Sequence, residues 1–210
     1  ASCFLMTFIP LNHLNDSPME FYSERYTDLT KDTKWLSDRL GGTFPVSYQL
    51  ATKKESISDP DFLGFLDKFT NWLKSKDEVL HVNSLSIILK DLNSTLHNDD
   101  PGWYVIPQEK GISAEYLFFY EMSLPFGLDL NTTLSQDRLS TKLTASLKEM
   151  KAEEYKKFDK EVGIYVEGNM PKDMVSSGSG MRAIFAFMTE TMLDQLSVAL
   201  IVGALLITLT

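Results

Sequence analysis

The stretch Leu139-Ser-Thr-Lys-Leu-Thr-Ala-Ser-Leu-Lys148 decides the fold. Thr141, Leu143, Ala145 and Leu147 alternate with Lys142, Thr144, Ser146 and Lys148, the clearest period-two run in the chain. Such alternation belongs to a strand with one face in a core and one in water. The residues after it switch period. Tyr155, Phe158, Val162 and Tyr165 fall on one helical face, lysines and glutamates on the other, and Gly168 and Pro171 close the helix. Asp173-Met-Val-Ser-Ser177 reads as a weaker strand, which predicts a β-α-β unit over about 138–178.

A second unit of similar length precedes it, over about 43–83. Val46, Tyr48 and Leu50 alternate with Ser47 and Gln49. Ser58-Asp59-Pro60 caps a helix whose Phe62, Phe65, Leu66, Phe69, Trp72 and Leu73 form an apolar stripe, and Glu78 to Val82 follows as a short strand. The helix of each unit has to cover one face of the strands it links. Between the units lies a helical middle, 84–127. One helix there buries Leu85, Ile88, Leu89, Leu92 and Leu96, and Ser113 is placed to cap a shorter one running through Tyr116 to Met122. The expected fold class is α+β, with the two β-α-β units packing as a pseudo-duplicated sandwich.

The ends read differently. Asn15, Asp16, Ser17 and Pro18 start a helix with Tyr22, Tyr26, Leu29, Thr33, Leu36 and Leu40 on a buried face, stopped by Gly41-Gly42. Residues 1–10 are apolar and lack the basic region and cleavage site of a signal peptide, so they are expected to be the tail of a preceding transmembrane helix. Residues 181–210 carry no charge from Leu196 onward. A helix from Leu196 to Thr210 rises roughly 22 Å, whereas a bilayer core needs ~20 apolar residues. The expectation is the start of a second membrane helix, truncated, with Ser177-Gly-Ser-Gly180 as a flexible joint before it.

Composition excludes several functions. A net charge of -9 argues against nucleic acid, whose phosphates need a basic face. Cys3 is the one cysteine, so there is no internal disulfide, metal clip or redox pair. His13, His81 and His97 are scattered, and none stands at ligand spacing with a Cys or Asp beyond the loose trio His97, Asp99 and Asp100. Ser177-Gly-Ser-Gly180 matches neither a nucleophile elbow nor a phosphate loop. No catalytic residue, cofactor or metal is expected. Asn15, Asn93 and Asn131 fit the glycosylation sequon, which matters only in a eukaryotic secretory pathway.

Two stretches remain as candidate contact surfaces. Phe118 to Leu130 is aromatic-rich for a connection, either core or an apolar surface for a substrate or partner domain. Glu190 and Asp194, just before the apolar run, sit either at the membrane interface or in a gate for substrate entering from the side.

Blocks of the chain carry a resemblance. The segments running from Ser17 to Leu50, from Ile57 to Asn93 (with DPDFL and VLHVNSL), Asp99 to Pro107 (DDPGWYVIP) and Glu115 to Asn131 (EYLFFYEMSLPFGLDLN) come before a strand-helix-strand feeding an apolar helix. In that order they resemble a periplasmic loop of the resistance-nodulation-division (RND) exporters, in the hydrophobe/amphiphile efflux branch related to the MMPL family. The resemblance covers essentially the whole chain.

It implies a proton-driven transporter of the bacterial inner membrane, with residues 11–180 as a periplasmic porter domain of paired β-α-β, ferredoxin-like subdomains between truncated transmembrane helices. The segment Glu24 to Leu36 looks more like the second periplasmic loop than the first. Implied partners are a hydrophobic or amphiphilic molecule or lipid, the membrane and the rest of the transporter chain, with a homo-oligomer left open. The proton-relay acids of such exporters lie in central helices outside this sequence, so none is carried over, and the long docking insertion of the tripartite drug pumps is missing. On this reading Phe118, Phe119, Met122, Phe126 and Leu128 line the substrate path, and Phe185, Glu190 and Asp194 mark where a lipid-like molecule is admitted. The rival reading is a membrane-anchored ectodomain that does not transport, a sensor or an assembly scaffold.

Overall fold

The computed structural model describes residues 28–40, 42, 44–53, 56–109, 111–125 and 130–209. In chain order the elements are α1 (Leu29–Leu40), β1 (Phe44–Ala51), α2 (Pro60–Lys74), β2 (Val79–Asn83), α3 (Leu85–Leu96), α4 (Ile112–Ser123), β3 (Ser140–Leu147), α5 (Ala152–Asn169) and α6 (Met181–Leu209). Short 3-10 turns at Pro101–Trp103 and Leu130–Thr132 punctuate the middle.

β3 is the centre of the sheet. It pairs antiparallel with β1 on one side and with β2 on the other, giving the order β1-β3-β2. The register sets Val46 opposite Ala145 and Tyr48 opposite Leu143, all of them buried. This is the face that the alternation predicts. The opposite face is polar, with Ser47 Oγ and Thr144 Oγ1 3.2 Å apart and Gln49 Nε2 donating to Ser140 Oγ at 3.0 Å.

α2 and α5 lie side by side on the apolar face. Asp59 caps α2 by accepting from the Asp61 and Phe62 amides, with Pro60 in the first turn. Trp72 stacks on Tyr165 at 4.2 Å, and Lys76 pairs with Glu161 at 2.8 Å. Phe69 is fully buried between the layers, 5.4 Å edge-on to Tyr48 and 6.2 Å from both Trp72 and Tyr165. α3 flanks α2 through the ion pair Lys90–Asp67 at 2.7 Å and a buried hydroxyl cluster of Thr70, Ser84 and Ser86.

The two β-α-β units are present, but they share one sheet. Because β3 is antiparallel to both neighbours, β1 and β2 run parallel and the first crossover straddles β3. After α5 the chain returns to the free edge of β1, where Val175 bridges Leu50 and Ser179 bridges Ser47, both antiparallel. The second crossover therefore straddles β1. Interleaved split units of this kind are the ferredoxin-like arrangement. The expectation of paired subdomains is corrected: both helices cover the same face, so the units share one core and not two.

The Ser177–Gly180 stretch is likewise not a loose joint. Ser47 and Ser179 exchange backbone bonds at 2.7 and 2.9 Å, the Ser176 amide donates to Gln49 O at 2.9 Å, and the Ala51 amide donates to Met174 O at 2.8 Å. A polar, glycine-bearing string serves here because it must pair with an edge while lying close against it.

Three further expectations change. Ser113 does not cap α4: the cap position is Gly111, and Ser113 is buried within the first turn. On the face of α1 expected to be buried, Leu36 is 41% exposed and Thr33 is half-buried, and beside it Trp35 is exposed beneath the Arg39 guanidinium. Its expected start near Ser17, and the expected membrane tail at 1–10, lie outside the described residues.

Residues 181–210 form one helix as far as Leu209, but no helix among the described residues is long and apolar enough to cross a membrane. The physical reason lies in how α6 is divided. Its first turns are keyed to the domain by buried Arg182, Ala183 and Ala186, with Arg182 donating to the Met150 carbonyl. From Leu196 to Leu209 the helix rises only about 20 Å. The second flanking transmembrane helix of the expected architecture is therefore not supported as a span by the described residues.

Candidate functional site

Two surfaces can do chemistry or binding. The first is the outer side of α4. This helix docks on α3 through Leu117, which is buried, and through Tyr116, whose hydroxyl donates to Asn93 Oδ1 at 3.2 Å. Its C-terminal end is tied to the turn before β3 by Arg138, whose guanidinium donates to both Glu121 carboxylate oxygens at 2.8 and 2.7 Å. That anchorage turns Phe118, Phe119 and Met122 outward, at 59%, 62% and 70% exposure. The two phenylalanine rings meet edge to face at 6.1 Å. Of the two readings left open for this stretch, the structure favours the apolar surface for these three residues. Phe126 and Leu128 lie outside the described residues.

The connection before α4 is held differently. Asn93 is buried and donates to the Trp103 and Val105 carbonyls, so it is no glycosylation site in the folded chain. His97 stacks on Trp103 at 3.7 Å with Nδ1 2.7 Å from Asn93 O. The loose His97, Asp99 and Asp100 trio makes no centre, and among the described residues no group of three His, Cys, Asp or Glu could hold a metal ion. Phe185 on α6 is partly buried, whereas nothing is described of the Glu190 and Asp194 side chains beyond their place on that helix.

The second surface was not legible in the sequence. A groove of about 620 Å³ runs between the second half of α5 and the Met170–Gly178 return. Tyr48 forms part of its floor, Asp159 stands on its wall, and Val162, Val166 and Val175 give it an apolar flank. Tyr48 and Tyr155 are fully buried, and the hydroxyl of each has no hydrogen-bond partner among the described residues. Gly178 lies against the Tyr48 ring so closely that a Cβ there would come within 3.0 Å of it.

Burial pushes both phenols well above the usual range; Tyr155 and Asp159 add to the rise at Tyr48, and Asp159 to that at Tyr155, where Arg182 opposes it. Both therefore stay neutral and keep a donor and an acceptor each. Burial also raises the Asp159 carboxyl.

The sign of that shift gives a stability prediction. Below the ordinary aspartate range both folded and unfolded chains carry the proton, and Asp159 adds no ionisation-linked cost. As pH rises through the ordinary value and on through the raised one, the unfolded chain ionises first and the native state loses stability. Asp159→Asn is expected to stabilise the fold at about pH 7 and to leave it unchanged near ~pH 3. The gain is modest because the carboxyl is only partly buried. Denaturant melts at the two pH values check it.

The described architecture defines an α+β domain of interleaved split β-α-β units, a class shared by proteins of many functions. The chain matches no protein-family model, and no curated protein or solved structure matches it. Function is therefore argued from its own surfaces.

Proposed function

We infer that this chain is the substrate-handling domain of a proton-driven membrane exporter of hydrophobic or amphiphilic compounds, lipids among them, facing the periplasm of a bacterial cell. One observation carries the reading. α6 is fixed to the core at its start and exposes Leu196, Val198, Leu200, Ile201, Val202, Leu205, Leu206 and Ile207 beyond it. Consecutive exposed positions place apolar side chains all round the helix, a pattern that belongs in lipid or in a protein interior and not in water.

On this reading the apolar end of α6 dips into the bilayer, and the first turns transmit its movements to β1 and α5. A hydrophobic molecule is admitted from the outer leaflet beside Phe185 to Gln195 and passes over the Phe118, Phe119 and Met122 face of α4. Proton coupling belongs to other parts of the exporter. On this reading the domain does no chemistry on the substrate.

The α4 face supplies the direct test. In the intact exporter, Phe119→Ala with Met122→Ala is expected to cut export of a hydrophobic dye about fivefold or more at unchanged expression, because both side chains are exposed and their removal leaves no cavity. Wild-type export by the double variant would remove this face from the path.

A further inference from the structure

A third recess, outside both surfaces described above, opens between the start of α2, the end of β1 and the Pro171–Met174 turn. Its volume is about 190 Å³. Phe62 and Met174, both nearly buried, form its floor, and Phe65 and Pro171 form its walls. The charged side chains of the lining, Lys53, Asp61 and Lys172, are all exposed and so mark its mouth. Protein interiors leave few voids larger than a water molecule, and an apolar void of about 150 Å³ stays dry and takes up apolar molecules. This recess is larger and offers water few partners below its mouth, so an apolar body fills it better than solvent does.

The mouth selects the head group that such a body carries. Lys53 pairs with Asp173 at 3.6 Å, and Asp61 has an interaction of its own. Of the three charged side chains, the Lys172 ammonium alone is left without a partner among the described residues. A cationic head would meet two lysines. A neutral head would leave Lys172 as it is. A carboxylate accepts from the Lys172 ammonium, with the charge of Lys53 on the same rim, and keeps its remaining lone pairs in water.

We propose that this recess binds a medium-chain carboxylate amphiphile, its head at the Lys172 ammonium and its chain between Phe65 and Met174. At the roughly 30 Å³ that a water, or a methylene of similar size, occupies, the volume takes about six carbons of chain. The site needs only the fold and goes beyond the exporter reading. Its failure would leave dye transport untouched, and failure of dye transport would leave it standing.

The Met174 methyl is a reporter inside the recess. The intact chain, isotopically labelled at its methionine methyls and held in lipid nanodiscs, is titrated with octanoate, octylammonium and acetate, with Met174→Leu identifying the Met174 signal. Met192, exposed on α6, reports unspecific partition into the apolar surroundings. Octanoate is expected to shift the Met174 signal saturably, with a Kd on the order of 1 mM or tighter, and not to move Met192 in step. Octylammonium is expected to bind about fivefold more weakly, and acetate not to saturate. Lys172→Gln changes an exposed side chain and leaves the fold intact; it is expected to weaken octanoate about threefold and to leave octylammonium within about twofold. A Met174 signal that octanoate does not move overturns the proposal, as does one that moves only in step with Met192. So do equal affinities for octanoate and octylammonium, and a Lys172→Gln variant that binds octanoate as tightly as the wild type.

Discussion

Phe69→Ala is expected to lower the stability of the domain by about 3–5 kcal/mol, the range for deleting a fully buried aromatic ring. Phe69 is the point at which the sheet and both crossover helices meet. Its ring lies edge-on to Tyr48 of β1, stacks on Trp72 of its own helix and stacks on Tyr165 of α5. Truncation removes all three ring contacts at once and opens a cavity between the buried Tyr48 and the half-buried, mutually stacked Trp72 and Tyr165, whose rings cannot refill it without losing their own contacts. Denaturant melts give the number directly. A loss below about 1 kcal/mol would mean that α2 and α5 do not share one core, and the single-sheet arrangement would be wrong.

The second large effect sits at the joint that the sequence presents as flexible. A Cβ on Gly180 would stand 2.4 Å from the Pro45 carbonyl oxygen, and neither partner there is a side chain that can swing aside. Gly180→Ala is therefore expected to cost on the order of 2–3 kcal/mol and to loosen α6 from β1, since the edge must open to admit the methyl group. Gly64 is the internal control. It lies inside α2 with nothing within 4 Å of a Cβ, so Gly64→Ala should instead gain about 0.5–1 kcal/mol from helix propensity and a stiffer unfolded chain. If the two alanines had equal effects, the close approach at Gly180 would not exist.

Gly180 also shows where sequence reasoning succeeds and where it stops. Periodicity located β1, α2, β3 and α5, and it named their buried faces, because Val46, Tyr48, Leu143 and Phe158 repeat at the spacing that burial imposes. Periodicity says nothing about which strand pairs with which. Two similar β-α-β units read naturally as two subdomains, and only the pairing of β3 with both β1 and β2 reveals that they interleave. The Ser177–Gly180 string looked like a joint because small polar residues serve both loops and edges pressed against a neighbour, and composition does not separate the two.

The candidate surfaces divide in the same way. Phe118, Phe119 and Met122 drew notice as an aromatic excess, but α4 is apolar on most sides, so its exposed side depended on Tyr116 and Leu117 docking on α3. The groove had no signal at all. Tyr48 reads as one more apolar position of β1, and Asp159 as one more charge on the wet side of α5. Their meeting depends on the return of residues 170–178 to the edge of β1, a contact between segments far apart in the chain.

We propose for this domain a place in an exporter driven by a proton gradient. Inverted membrane vesicles from cells expressing the intact gene, loaded with a hydrophobic fluorescent dye, test it most directly. Dye uptake into the vesicles is expected on energisation, with collapse of that uptake when a protonophore is added and loss of most of it in the Phe119→Ala, Met122→Ala variant. Uptake that is the same with and without the gradient, from a protein confirmed in the membrane, would contradict it.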